Sequence, residues 1–229
     1  MVLRRIYLLP LAYGAISIFA TTTKYFFGSL LERFPHLFPT IKEASLFAEC
    51  LFAHLVTYSA FLLLLIVYVR HREAVEYYGH RLEWTQSTWR YCSLFLAFIG
   101  SIGAVALSVV AHTEDKQVEG LHRWVDSVGF TCGFVYAWGQ AVLGYVIVPR
   151  MSSLATCVTR ILLMTVETIA LIFYSYGRST PQIPDLYVEI SIWTVSVCFH
   201  LFIVSFYIEL RYAYAHAAKV EILIQEQED

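Results

Sequence analysis

The chain has 229 residues, of which 58% are hydrophobic, 16% aromatic and only 15% charged, and its mean hydropathy is +0.60. A soluble domain carries about 25% charged residues, so this composition excludes an ordinary water-soluble fold, and its aromatic content excludes disorder. Sixteen Lys and Arg against eighteen Asp and Glu give a net charge of −2, which excludes a basic nucleic-acid-binding surface. What remains is a polytopic membrane protein.

Six charge-poor stretches approach the ~20 residues that a helix needs to cross a bilayer. They are 6–27, 46–69, 91–111, 125–148, 158–177 and 188–208. Runs such as Phe61-Leu62-Leu63-Leu64-Leu65-Ile66-Val67 do not alternate, so helices are expected and a β-barrel is not. The first stretch is long for a signal peptide and five more follow it, so it is read as a span. The expected fold is all-α, with six transmembrane helices in one bundle forming a single domain over 1–229, and 209–229 as a short tail. Ten Lys and Arg, among them Arg4, Arg70, Arg150 and Arg160, fall on one side against six on the other, which places both termini in the cytosol.

Most tryptophans fall near predicted helix ends, as in an interfacial aromatic belt, whereas Trp138 lies deeper and is read as a packing residue. The five cysteines lie in or at the edges of spans without a CxxC, so neither a disulfide nor zinc is expected. Cys92 and Cys157, near the cytosolic boundary, are candidates for palmitoylation, with unmodified thiols as the plainer reading. The chain contains no Asn, which excludes an N-linked glycan.

Ionisable groups in hydrocarbon are costly, and each needs a partner or a role. Glu167, halfway along the fifth span, is read as a buried, hydrogen-bonded or protonated acid; a proton or cation relay, or a lipid headgroup contact, is the sharper alternative. His54 in the second span and His200 in the sixth would join it in a polar cluster if the helices bring the three together. Glu49 lies near the outer end of the second span. His112, Glu114, Asp115, His122 and Asp126 crowd the loop between spans three and four, either as a solvated acidic loop or as a metal-binding or pH-sensing site.

In the fourth span Gly129, Gly133, Tyr136, Gln140 and Gly144 form one stripe at helical spacing. Small residues there permit close helix approach, and Gln140 can bond across the contact, so the stripe is read as an internal packing seam rather than a dimer interface. Gly100 and Gly103 are expected to act likewise in the third span. There is no glycine-rich phosphate loop, HExxH or Gly-x-Ser-x-Gly elbow, so no catalytic, cofactor or metal residues are assigned.

Several stretches taken in order resemble one family. They are Phe38-Pro39-Thr40-Ile41 with Glu49-Cys50-Leu51-Phe52, then Tyr68-Val69-Arg70, then Gly100, Gly103 and Ser108-Val109-Val110-Ala111. His122 with Gly133, Tyr136, Gln140 and Tyr145 follows, then Arg160-Ile161-Leu162-Leu163 and Trp193-Thr194-Val195. Over roughly residues 5–212 the chain resembles the damage-regulated autophagy modulator family and its Frag/Sfk relatives. It departs from that pattern at Lys42-Glu43-Ala44-Ser45, at Ile192, at His112 and at Glu167. The resemblance implies a non-enzymatic six-helix regulator of autophagy in lysosomal or endosomal membranes, with plasma membrane or endoplasmic reticulum as the alternatives. A second reading is an accessory subunit of a membrane complex for lipid transfer or phosphoinositide organisation, with Arg70, Arg72, Arg81 and Arg90 either attracting anionic headgroups or only setting topology. A proton-coupled transporter built on Glu167 is the less favoured third. The expected partners are membrane lipids and other membrane proteins, without nucleic acid, a defined small-molecule substrate or a cofactor.

Overall fold

The computed structural model describes residues 6–33, 41–79, 87–112, 119–147, 152–179 and 184–228. Side chains are described within 6–23, 49–76, 89–112, 120–147 except His122, 152–179 except Arg178, and 184–211 except Asp185. Six helices and no strand occur among these residues: α1 (Leu9–Arg33), α2 (Ile41–Gly79), α3 (Ser87–Val110), α4 (Glu119–Val146), α5 (Leu154–Ser179) and α6 (Asp185–Glu228). Each expected span falls on one helix, but the helices overrun the spans. The hydrophobic stretch marks only what the bilayer must cover, whereas helical hydrogen bonding continues into the polar interface wherever no proline or glycine stops it. The overrun is largest in α2, with 39 residues, and α6, with 44. The expected short tail therefore continues the sixth helix to Glu228.

Among the described residues, five stretches combine the length and apolarity that a crossing requires: Ile6–Thr23, Glu49–Glu76, Trp89–Val110, Leu154–Gly177 and Leu186–Arg211. Only 22–33% of each such stretch is buried inside the protein, which leaves its apolar remainder to face lipid. The expected fourth crossing is a helix of 28 residues that is not among the five. Gly129, Gly133, Gly139 and Gly144 together with Gln140 dilute its hydropathy.

Hydroxyl groups within the spans bond the carbonyl one turn back, which satisfies them without water. Thr21 and Thr23 in α1 donate to Ser17 O and Phe19 O at 2.7 Å each, and Thr57, Ser101 and Thr165 do the same in α2, α3 and α5.

By packing, the chain forms two compact units, Ala12–Tyr136 and Met1–Leu11 with Ala137–Asp229. In the first, α2 and α3 run antiparallel, pinned by Ser108 Oγ donating to Thr57 Oγ1 (3.4 Å) and by a bond between His71 Nδ1 and Ser93 Oγ (3.0 Å). The fourth helix joins α3 along glycines. A Cβ on Gly103 would stand 3.2 Å from Gly133 N, one on Gly129 3.1 Å from Ala106 Cβ, and one on Gly100 2.7 Å from the Tyr136 ring. The backbones approach closely only because those side chains are missing. In the second unit α5 packs on α6, and Cys157 Sγ reaches Gly144 O (3.2 Å) while Trp138 Nε1 donates to Thr168 Oγ1 (3.1 Å), which ties the end of α4 to α5.

Gly103→Leu is expected to destabilise the protein by about 1–3 kcal/mol, by overpacking the α3–α4 contact. Gly144→Ala, whose Cβ would meet nothing within 4 Å, should leave stability unchanged or raise it by up to about 1 kcal/mol. Thermal unfolding in detergent distinguishes the two, and equal effects would remove the seam.

Candidate functional site

Along α5, the buried residues Cys157, Arg160, Met164 and Glu167 recur every three to four positions and so occupy one face. The facing stripe of α6 is Val195, Cys198, Phe202, Phe206 and Glu209, all buried. Because the helices are antiparallel, the first turns of α5 meet the part of α6 near the end of its span. There Arg160 Nη1 donates to Glu209 Oε1 at 2.6 Å, with both side chains at most 2% exposed. Arg160 Nε donates to Ser205 Oγ (2.7 Å), and the guanidinium lies 4.5 Å from the Phe206 ring centroid and 5.8 Å from that of Phe202. Arg160 thus meets an anion, a hydroxyl and two aromatic faces in one pocket of low dielectric.

Arg160, one of the ten cations assigned to the cytosolic side, is fully buried in the early turns of α5, with its carboxylate partner on α6 at the same level. Arg70, expected to face lipid headgroups, is 5% exposed and donates to Glu73 Oε2 at 2.6 Å within α2. Arg72 and Arg90 do remain at the surface, the former 3.0 Å from Glu76 and the latter 5.9 Å from the Trp89 ring. Trp89 is buried against the protein, at the first residue of its apolar stretch. Arg81 lies outside the described residues.

Two turns from Arg160, Glu167 is 1% exposed, and its Oε2 has no hydrogen-bond partner among the described residues. Cys198 of α6 is within its electrostatic reach. His200 is half-buried, its ring 6.2 Å from Phe199. The other residue of the expected cluster, His54, belongs to the first unit, where it is exposed and bonds Cys50 O at 2.7 Å. Gln140 is buried on α4, while Glu49 and Asp126 are exposed. The side chain of His122, and both Glu114 and Asp115, lie outside the described residues. Cys157, a candidate for acylation, is 1% exposed and engaged with Gly144 O and Ser152 Oγ, so its thiol is not presented to the membrane surface. Cys92 is exposed. Among the described residues no three His, Cys, Asp or Glu side chains gather to hold a metal ion.

Apolar helices of membrane-spanning length, with one ion pair buried within α2 and another between α5 and α6, define an all-α polytopic membrane protein. More narrowly, the chain belongs to the Frag1/DRAM/Sfk1/Cwh43P N-terminal domain family, whose model matches residues 5–213. It is similar to the DNA damage-regulated autophagy modulator protein 1 of Mus musculus (28% identity) and of Homo sapiens (27%), in each case over 122 residues that make up 53% of this chain and 50% of the relative. The match thus spans half the length of these curated relatives. No solved structure matches the chain.

Sequence reasoning missed the Arg160–Glu209 pair. The available signal was Glu209 closing the sixth apolar run at the level where an antiparallel fifth helix begins. Removing one partner of a buried pair leaves an uncompensated charge, so Arg160→Met should cost about 3–5 kcal/mol, and Arg160→Met with Glu209→Leu should recover most of it. Equal losses in the single and double variants, by thermal unfolding in detergent, would refute the coupling. Glu167→Met, which removes an unbonded buried oxygen, should be neutral or stabilising by about 1 kcal/mol. A large loss in the same assay would mean that the carboxyl group is bonded.

Proposed function

We propose that this protein is a non-enzymatic, multi-pass regulator of autophagy in the lysosomal or endosomal membrane. The supporting observation is the family match over residues 5–213, together with likeness to two proteins named as autophagy modulators. The buried ion pairs agree with this reading, since Arg160 and Glu209 hold α5 to α6 and Arg70 is paired with Glu73 within α2. The proposal takes α4 as a sixth crossing, which returns the chain to the cytosol and sets both termini on that side.

A second reading is favoured by the surface of the helices. On α3, Tyr91, Phe95 and Phe98 are each 61–70% exposed, and on α5 Phe173 and Tyr176 are exposed as well. Such aromatic faces suit contact with lipid or with the helices of a larger membrane complex, as expected of an accessory subunit for lipid transfer or phosphoinositide organisation. Partners on either reading are lipids and other membrane proteins.

A tagged copy is expected to coincide with lysosomal or endosomal markers, and deletion should change autophagic flux measured by turnover of a lipidated autophagosome marker. Unchanged flux together with residence elsewhere would refute the first reading. Purification in mild detergent then decides the second: co-purifying membrane proteins in fixed ratio support it, and a chain isolated alone counts against it.

A further inference from the structure

At one end of the antiparallel α2–α3 pair, two imidazoles stand side by side. The rings of His54 and His112 have their centroids 6.3 Å apart at an interplanar angle of 63°, and both residues are exposed. Each ring is held from behind by its own helix. His54 Nδ1 lies 2.7 Å from Cys50 O, and His112 Nδ1 lies 2.9 Å from Ser108 O. A carbonyl oxygen only accepts, so each Nδ1 carries the proton, and the neutral ring keeps its lone pair on Nε2. Fixing one nitrogen on a backbone oxygen so that the other is ready to coordinate is how proteins prepare histidine as a metal ligand. The Thr57–Ser108 contact, about one turn deeper, keeps the two helices at this separation.

The choice of ion follows from the two imidazole donors that the pair offers. Zinc requires three or four donors in a tetrahedron, and among the described residues no such set gathers. Cys50 does not supply a third ligand, because its Sγ lies 3.6 Å from His54 Nδ1, on the side of the ring already bonded to the backbone. Copper(I) differs: a closed-shell monovalent ion, it accepts two neutral imidazoles in a near-linear arrangement. Two rings on opposite sides of an ion, with each nitrogen about 2 Å from it, have centres about 6 Å apart, close to the spacing observed here. We propose that His54 and His112 form a two-histidine copper(I) site at this end of the α2–α3 pair.

The test uses the full chain in detergent, with copper(I) kept reduced by ascorbate and titrated against the chromogenic chelator bicinchoninate. The wild type should withhold one copper per chain, and His54→Gln and His112→Gln should each lose it. The double variant Cys50→Ser/Cys92→Ser, which removes the two exposed thiols, should keep it. X-ray absorption should show two nitrogen neighbours and no sulfur. Both histidines are exposed, so the metal-free variants should melt at the wild-type temperature, and copper should raise only the wild-type value. Retention of copper by either histidine variant, sulfur in the first shell, zinc(II) withheld as firmly as copper(I), or no copper withheld by the wild type would each overturn the site.

Discussion

The constraint that orders this molecule is the lack of water in the hydrocarbon layer. A charge or hydroxyl that enters it is stabilised by a counterpart within the protein. The Arg160–Glu209 pair is the strongest instance. Its 2.6 Å contact, the Ser205 bond and the two phenylalanine faces combine charge, hydrogen bonding and polarisable surface at one level of the α5–α6 hairpin. The same logic appears at smaller scale in the threonines and serines that bond one turn back along their own helices. Such a pair adds little net stability over a well-packed apolar substitute. It fixes which turn of α5 faces which turn of α6, a choice that interchangeable leucines would leave open.

Register of another kind governs α3 and α4. There the specification comes from what is missing, since Gly100, Gly103 and Gly129 let backbone or ring approach where a methyl group would collide. The cost falls on the hydropathy of α4. A helix given over to close packing with its neighbour carries fewer large apolar side chains than one facing lipid on most of its circumference.

Helices were legible in the sequence because a bilayer demands apolar length, and that demand leaves a signal no local preference can hide. Six helices appear where six stretches were expected, although their ends do not, since neither apolarity nor its loss stops a helix. The buried acid Glu167 was also legible, because a carboxylate amid Leu163, Met164, Val166 and Ile169 is conspicuous. Arg160 was not. Six residues into α5 and close to Arg150, it resembles an interfacial cation, and only the antiparallel alignment with Glu209 shows otherwise. His54 groups with Glu167 only as a polar side chain within an apolar span, yet its ring neighbour is His112, at the far end of the third span and in the same unit. Pairing depends on helix order and offset, which composition does not encode.

One mechanical property follows from the length of α6. The expected sixth span closes at residue 208, yet the helix continues to Glu228, so roughly 30 Å of helix extends past that span. With Glu209 clamped to the fifth helix at the start of that extension, a small tilt of the α5–α6 hairpin would be magnified at its far tip.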